Sequence, residues 1–310
     1  FKEVEKPTPK DNEVLIKVHA ASVNAADWHF LRGTPWLFRL ASGLLKPRNN
    51  FMGADVAGRV EAVGKSVTRF QPGDEVFGDL TASGRGAFAE YVCANETALV
   101  LKPARLSFEE AAAVPVAAVT ALQGLTRRGP IRPGQKVLIN GASGGVGTYA
   151  VQIARAFGAE VTAVCSTRNV SRMHAINADH VIDYSKEDFA QNGQQYDLIL
   201  AANGYRPISA YMRALSPGGT YMMSGGANAQ MYEALLLGPL LSMTGKRKMG
   251  NMLAKPNTED LALVKELLDT GKVKPVIDRC YDLSEVAEAI RYLEAGHAQG
   301  KVVISVSAGR

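Results

Sequence analysis

A glycine-rich turn between a strand and a helix is the feature that most restricts the fold of this chain. Residues 136–140 are apolar enough for a buried strand, and residues 146–157 have the periodicity of an amphipathic helix. Between them lies a Gly-x-x-Gly-x-x-Gly sequence that runs from Gly141 to Gly147. Glycines permit a tight turn and let a pyrophosphate approach the backbone N–H groups at the helix start.

The turn predicts a dinucleotide site, although its spacing departs from the standard Gly-x-Gly-x-x-Gly. On its own the spacing is a weak sign, and a simple glycine-rich turn is the alternative. The setting strengthens the prediction because strand, turn, helix and a second strand at 160–165 follow in the expected order. The candidate cofactor-binding residues of the turn are Ser143, Gly144, Gly145 and Val146.

The residues after the second strand favour NADPH over NADH. NAD sites place an Asp or Glu there, which binds the ribose 2′-hydroxyl. This chain has Ser166, Thr167 and Arg168 instead, with no carboxylate in that segment. Two hydroxyls and a guanidinium suit a 2′-phosphate, and a charged hydrogen bond of about 1.5–3 kcal/mol corresponds to a preference of roughly ten- to a hundredfold. An arginine on a surface loop is the alternative.

The sequence changes character near residue 108. Before it, short β segments alternate with Gly, Pro and Asp, which is typical of a compact β domain. The strands predicted there are 13–19, 55–63, 75–77 and 87–93. After it, apolar strands alternate with helices, which predicts a doubly wound parallel sheet. The strands predicted there are 136–140, 160–165, 181–184, 197–201, 219–223 and 301–306, with later helices at 258–270 and 284–294.

Length and composition are those of a two-domain globular protein. The chain has 310 residues, of which 46% are hydrophobic and 21% charged. No apolar run reaches the roughly 18 residues that can span a bilayer, so we expect no membrane span. The formal charge of +5 is dispersed, and we interpret its one short cluster, residues 246–248, as solvated surface or loop. Nucleic acid is therefore not an expected partner.

The three cysteines, Cys93, Cys165 and Cys280, have the spacing of neither a disulfide framework nor a metal site. This usage fits a reducing compartment, and we expect a cytoplasmic protein. The chain opens on Phe1 without an initiator Met, so a removed organellar targeting segment stays an alternative.

Further segments, in order along the chain, carry a resemblance to a known family. They are Ser-Val-Asn-Ala-Ala-Asp at 22–27, Gly-Ala-Asp-Val-Ala-Gly at 53–58, Pro-Gly-Asp-Glu-Val at 72–76, Ala-Val-Thr-Ala-Leu at 118–122 and Gly-Lys-Val-Val at 300–303. Together with the glycine turn they resemble the medium-chain dehydrogenase/reductase superfamily over the whole length of the chain.

The resemblance implies an α/β fold with two domains. A GroES-like, β-rich catalytic domain is expected at 1–116 and 252–310, and a Rossmann NADPH-binding domain with a doubly wound parallel sheet at 117–251. The resemblance also implies a homodimer. Phe1 falls just before the second strand of the family's fold, so we expect the first strand to be missing.

Departures from the zinc enzymes of this superfamily indicate which branch the chain resembles. Those enzymes have Cys where this chain has Asn24, and Gly-His-Glu where it has Gly53, Ala54 and Asp55. Since a catalytic zinc needs about three protein ligands, no metal is expected. What remains plausible is hydride transfer from NADPH to a conjugated acceptor, as in the zinc-free quinone, enone and enal reductases. The alternative is an NADPH-binding structural or regulatory protein that lacks catalysis.

Three candidate catalytic residues follow from the resemblance. Asn24 and Asp27 match an Asn-x-x-Asp pair and are expected to shape the nicotinamide pocket, with a structural turn as the alternative. His29 stands where quinone reductases often have Tyr. It is a candidate donor to the substrate oxygen because its ordinary pKa lies near neutrality, and the alternative is that it only orients a loop.

The remaining candidates concern the cofactor. Thr120 is expected near a helix start, where it approaches the nicotinamide or acts as a helix N-terminal hydroxyl. Residues at the ends of predicted strands are expected at the rim of a nucleotide crevice. These are Tyr184, a candidate to stack near the adenine, together with Asn203, Ser224 and Gly225. Lys301 is a candidate to reach a cofactor phosphate.

Overall fold

The computed structural model describes residues 2–34, 39, 43, 51–127, 129–244 and 246–306. The chain divides into two units. Unit 1 comprises Phe1–Val119, Pro256–Asp269 and Pro275–Arg310, and unit 2 comprises Thr120–Lys255 and Thr270–Lys274. The functional assignment of the predicted domain ranges stays a proposal.

The elements are numbered in chain order. The strands are β1 (Glu13–Val23), β2 (Asp55–Val63), β3 (Glu75–Asp79), β4 (Tyr91–Asn95), β5 (Leu99–Leu101), β6 (Lys136–Asn140), β7 (Glu160–Cys165), β8 (His180–Asp183), β9 (Tyr196–Ala201), β10 (Leu215–Met223), β11 (Lys248–Asn251), β12 (Ile277–Asp282) and β13 (Lys301–Ser305). The α-helices are α1 (Ala25–Arg32), α2 (Phe108–Ala112), α3 (Pro115–Thr126), α4 (Gly145–Ala156), α5 (Val170–Ala175), α6 (Ile208–Ala214), α7 (Asn228–Thr244), α8 (Thr258–Asp269) and α9 (Val286–Glu294).

Unit 1 is built on a seven-stranded sheet in the order β12-β13-β1-β2-β3-β5, with β4 also paired to β1. The long strand β1 pairs antiparallel with β2, β4 and β13. Its alternate residues Val14, Ile16 and Val18 are buried and lie in one apolar core with residues of β2 and α9. This is the period-two pattern expected of a strand with one face in the core. Because β1 and β13 are neighbours, the residues at their ends are brought close together.

Unit 2 is a parallel six-stranded sheet in the order β11-β10-β9-β6-β7-β8. The last four residues of β6 are all buried, as expected of a strand covered on both faces. The carboxyl ends of β6, β7, β8, β9 and β10 therefore lie along one edge, where open α/β sheets bind ligands. The prediction of a parallel sheet is confirmed. No helix in the described part of the chain is long and apolar enough to cross a membrane.

Two predictions about local structure are wrong. The strand predicted at 87–93 lies at β4, because the backbone N–H groups of Ala87 and Phe88 donate to carbonyls of Gly53 and Met52 instead of a strand partner. Thr120 is the sixth residue of α3 and not near a helix start. Lys248 begins the edge strand β11 and is exposed, which agrees with the expectation of solvated surface or loop at 246–248.

Candidate functional site

The glycine turn of unit 2 has a geometry that other residues cannot adopt. Gly141 has φ of +78°, and a Cβ there would lie 2.7 Å from the Asn203 Cβ. A Cβ on Gly147 would lie 2.2 Å from the Gly141 carbonyl oxygen, so α4 can approach the turn only with glycine here. Gly144, the N-cap of α4, is different, since a Cβ there would meet only that same oxygen at 3.6 Å. Open space therefore lies before the first turn of α4, whose N–H groups have no partner within the helix.

Asn169 links the glycine turn to the end of β7, and sequence reasoning did not select it. Its Nδ2 donates to the hydroxyls of Ser143 and Ser166, both at 3.1 Å. Among the described residues, Asn169 Oδ1 and Ser224 Oγ are buried without a hydrogen-bond partner. Leaving a buried polar group unpaired costs about 1–3 kcal/mol, so such atoms commonly face a ligand or water. The residues of this edge thus fit a dinucleotide, which presents many polar atoms.

A carboxylate from elsewhere in the chain contacts the predicted 2′-phosphate segment, and the sequence does not reveal this contact. Thr167 Oγ1 donates to Asp183 Oδ2 at 2.6 Å, and the Ser185 hydroxyl donates to Asp183 Oδ1 at 2.7 Å. The hydrogen bonds from Thr167 and Ser185 lower the pKa of Asp183 to about 2. The segment at 166–168 has no carboxylate of its own, but the Asp183 carboxylate lies within hydrogen-bond distance of its Thr167 hydroxyl. Asp183 comes from β8, which is the neighbour of β7 in the sheet.

The other predicted rim residues do lie at the carboxyl ends of the strands. Tyr184 directly follows β8 and is 54% exposed, with its N–H donating to the Cys165 carbonyl. Asn203 follows β9, and its Oδ1 accepts the N–H of Gly204 at 2.8 Å. Ser224 and Gly225 follow β10, where a Cβ on Gly225 would lie 2.4 Å from the Ala202 carbonyl oxygen. The structure thus brings these candidates to one edge of unit 2.

Unit 1 contains a second polar group, centred on Asp55. Its Oδ2 accepts hydrogen bonds from Ser22 Oγ at 2.6 Å, Asn24 Nδ2 at 2.8 Å and Lys301 Nζ at 3.1 Å. Its Oδ1 accepts the N–H of Val116 at 2.8 Å. Lys301 Nζ also donates to Asn24 Oδ1 at 2.6 Å. Both ends of the Asn24 amide are therefore fixed, and we call Asn24, Asp55 and Lys301 the Asp55 cluster.

The position of Lys301 contradicts the prediction that it reaches a cofactor phosphate. Its side chain is buried and it points to the carboxylate of Asp55 and the amide of Asn24. A buried ammonium needs such partners, because an unpaired charge is costly away from water. Nothing in the sequence predicts that Lys301 contacts Asn24, because the two residues lie near opposite ends of the chain.

The side chains of Asp27 and Thr120 are both buried. Asp27 is 1% exposed, and its Oδ2 accepts the N–H of Asn24 at 2.8 Å. It thereby caps α1, and burial raises the pKa of its carboxyl to about 6. Thr120 is also buried, in the middle of α3.

His29 is in a tautomer that does not suit the predicted donor role. Its Nδ1 lies 2.6 Å from the Thr34 carbonyl oxygen, which can only accept, so Nδ1 carries the hydrogen. Burial lowers the pKa of His29 below its ordinary value, and the ring is neutral at pH 7. The Nε2 atom of that neutral ring has no hydrogen to donate. This geometry favours the loop-orienting alternative for His29, and the donor role stays a prediction.

Within the residues that the structure describes, no group of three or more His, Cys, Asp or Glu side chains is placed to hold a metal ion.

Comparisons with known proteins bear on the whole chain. Residues 10–104 match the alcohol dehydrogenase GroES-like domain, and residues 176–304 match the zinc-binding dehydrogenase family. The chain is 37% identical over 311 residues to the chloroplast envelope quinone oxidoreductase homolog of Arabidopsis thaliana, which covers 96% of this chain and 91% of that protein. It is 34% identical over 308 residues to 2-methylene-furan-3-one reductase of Solanum lycopersicum, with 96% and 73% covered.

A solved structure gives the same result for the fold. The quinone oxidoreductase from Coxiella burnetii superimposes with a TM-score of 0.85 at 31% identity, covering 98% of this chain and 93% of that one. The α/β prediction, with its GroES-like and Rossmann parts, is thereby confirmed. The chain belongs to the medium-chain dehydrogenase/reductase superfamily, in its quinone and enone reductase-like branch.

Proposed function

We propose that this chain reduces quinones or α,β-unsaturated carbonyls with NADPH and without zinc. As a member of its superfamily the chain is an oxidoreductase with a nicotinamide cofactor, and its relatives support NAD(P)H-dependent reduction in general. The observation that carries the finer proposal is the Asp55 cluster, which fixes an amide beside a buried ammonium.

Unit 2 supplies the nucleotide part of the proposal. Bound NADPH supplies a hydride, which the chain's residues must direct to the acceptor. The turn before α4 offers backbone N–H groups to the pyrophosphate, and Arg168 offers a guanidinium to the 2′-phosphate. The side chains proposed to contact the rest of the cofactor are Ser143, Ser166, Asn169, Tyr184, Asn203 and Ser224.

Unit 1 supplies the stabilisation of the acceptor. When hydride adds to a conjugated carbonyl or a quinone, negative charge builds on the carbonyl oxygen and needs a hydrogen-bond donor. The Asn24 amide has two hydrogens, of which one is bonded to Asp55. Lys301, donating to the oxygen of the same amide, polarises it and strengthens the second hydrogen as a donor. We assign the donor role to this second hydrogen of Asn24.

The absence of zinc from the proposal rests on the chemistry of the side chains. A methyl group at Ala54 and an amide at Asn24 stand where the zinc enzymes have their ligands, and zinc sites take sulfur, imidazole or carboxylate donors. Without a Lewis acid, which stabilises developing charge by several kcal/mol, a simple alcohol or saturated aldehyde is a poor substrate. Conjugated acceptors are already activated, and they fit this site better.

An absorbance assay tests the proposal. Chelator-treated protein should consume NADPH with a quinone and with an enal, and the matching saturated aldehyde should give little or no turnover. Zinc-dependent oxidation of simple alcohols, with no reaction of any conjugated acceptor, would show that the proposal is wrong. Tight NADPH binding without turnover on any acceptor would favour the structural or regulatory alternative.

The homodimer implied by the family stays a proposal, supported by exposed apolar side chains on α7. Leu236, Leu240 and Met243 lie at helical spacing and are all exposed. Large exposed apolar groups in a row favour a protein partner. The cytoplasmic location stays a prediction.

A further inference from the structure

We propose that Asp183 limits the preference of this chain for NADPH over NADH. Its carboxylate accepts the hydrogens of the Thr167 and Ser185 hydroxyls, so that Thr167 cannot donate to a 2′-phosphate, and it adds a like charge beside that phosphate. The inference rests on the nucleotide site of the proposed function and names the residue that sets its selectivity.

The sheet places Asp183, at the end of β8, beside the end of β7, the strand after which NAD enzymes have their carboxylate. Cys165, the last residue of β7, pairs with Asp183, the last residue of β8. Thr167 is two residues past the end of β7, and its hydroxyl lies 2.6 Å from Asp183 Oδ2. A carboxylate from the neighbouring strand thus contacts the segment in which NAD enzymes have a carboxylate of their own.

The hydrogen atoms of the two hydroxyls are both directed at Asp183. Thr167 Oγ1 donates to Oδ2, while Ser185 donates to Oδ1 with its hydroxyl at 2.7 Å and its N–H at 3.1 Å. A hydroxyl has one hydrogen, so neither group can also donate to a phosphate. Only oxygen lone pairs remain, and these repel a phosphate but accept a hydrogen from a ribose 2′-hydroxyl.

The charge of Asp183 acts in the same direction. Hydrogen bonds from Thr167 and Ser185 hold its pKa at about 2, so it is ionised at any working pH. Lys186 is a compensating cation, with its Nζ 3.6 Å from Oδ2, but its side chain is 71% exposed. An exposed ammonium offsets little of the repulsion between a carboxylate and a phosphate.

Asp183→Asn reverses both effects with little change of shape. The Ser185 N–H requires an oxygen at the Oδ1 position, which turns the new amide nitrogen toward Thr167. The amide then donates to Thr167 Oγ1 and releases the Thr167 hydrogen for the phosphate. Removal of the charge and gain of this bond should raise the preference for the phosphate by about tenfold or more.

Calorimetric titration of the full chain with 2′,5′-ADP and with 5′-AMP measures this preference without any turnover. In Asp183→Asn, the ratio of the two affinities should shift about tenfold or more toward 2′,5′-ADP. Asp188→Asn is the matched control, because Asp188 bonds Ala190 and Gln191 in its own loop and carries the same charge. Its ratio should change by less than about twofold, since Asp188 bonds neither Thr167 nor Ser185 and solvent screens its partly exposed charge.

Thr167→Val tests the hydroxyl argument separately. In the unmutated background it should change the ratio little, because the Thr167 hydrogen is directed at Asp183. In the Asp183→Asn background it should remove most of the gain. An unchanged or lowered ratio in Asp183→Asn overturns the inference while leaving the nucleotide site intact. Failure of the unmutated chain to bind either nucleotide overturns the proposed function itself, and the inference with it.

Discussion

Replacing Lys301 by Met is expected to lower the free energy of unfolding by about 3–5 kcal/mol, because it leaves the carboxylate of Asp55 buried without its cation. Asp55 is 0% exposed and Lys301 is 3% exposed, so water cannot take over the lost interaction. The hydrogen bonds from Ser22 and Val116 remain and compensate only in part. Denaturant unfolding followed by circular dichroism measures the loss.

Lys265→Met is the matched control for this stability effect. Lys265 pairs with Asp269 one turn away on α8, and both side chains are partly exposed to water. Such a surface pair contributes about 0.3–0.5 kcal/mol, so the control should remain close to the unmutated protein. A loss in Lys301→Met no larger than in the control would contradict the assignment of Lys301 to the Asp55 cluster.

Replacing Asn24 by Ala is expected to lower turnover on a quinone or enal by about a hundredfold or more, the usual cost of removing one donor to a developing oxyanion. The dissociation constant for NADPH should hardly change, because the proposed nucleotide contacts lie in unit 2. Turnover numbers and nucleotide titrations on the same folded preparation separate the two effects.

Asn192→Ala serves as the control for a lost amide, since Asn192 is partly exposed and donates to Glu187. It should keep the turnover of the unmutated protein. Full turnover in Asn24→Ala would show that Asn24 has only a structural role, as the N-cap of α1 and a member of the Asp55 cluster. The acceptor would then need another donor.

The sequence predicts those strands correctly whose own residues form a recognisable pattern. The strands at 136–140 and 160–165 were predicted with the bounds that the structure gives, because strands buried on both faces are continuous apolar runs between turn residues. The strand predicted at 87–93 starts too early, since its first residues are apolar but donate their N–H groups to loop carbonyls of Gly53 and Met52. The pattern of apolar residues does not distinguish a strand from an apolar loop whose backbone hydrogen bonds go to another loop.

The site was less accessible, because its contacts join distant parts of the chain. The sequence does not predict the contact of Asp183 with Thr167, because this contact depends on the strand order that places β8 beside β7. Lys301 was assigned to the cofactor because nothing in the sequence relates it to Asn24. The tautomer of His29 depends on the Thr34 carbonyl, and no pattern of residue types predicts that contact.

The most direct test of the account follows the hydride itself. The chelator-treated protein is incubated with NADPH that carries deuterium at the transferable position, together with an enal, and the product is examined by mass spectrometry and NMR. The account predicts one deuterium at the β-carbon of a saturated aldehyde for each NADPH oxidised. Deuterium at the carbonyl carbon of an alcohol product, or transfer that requires added zinc, would contradict it.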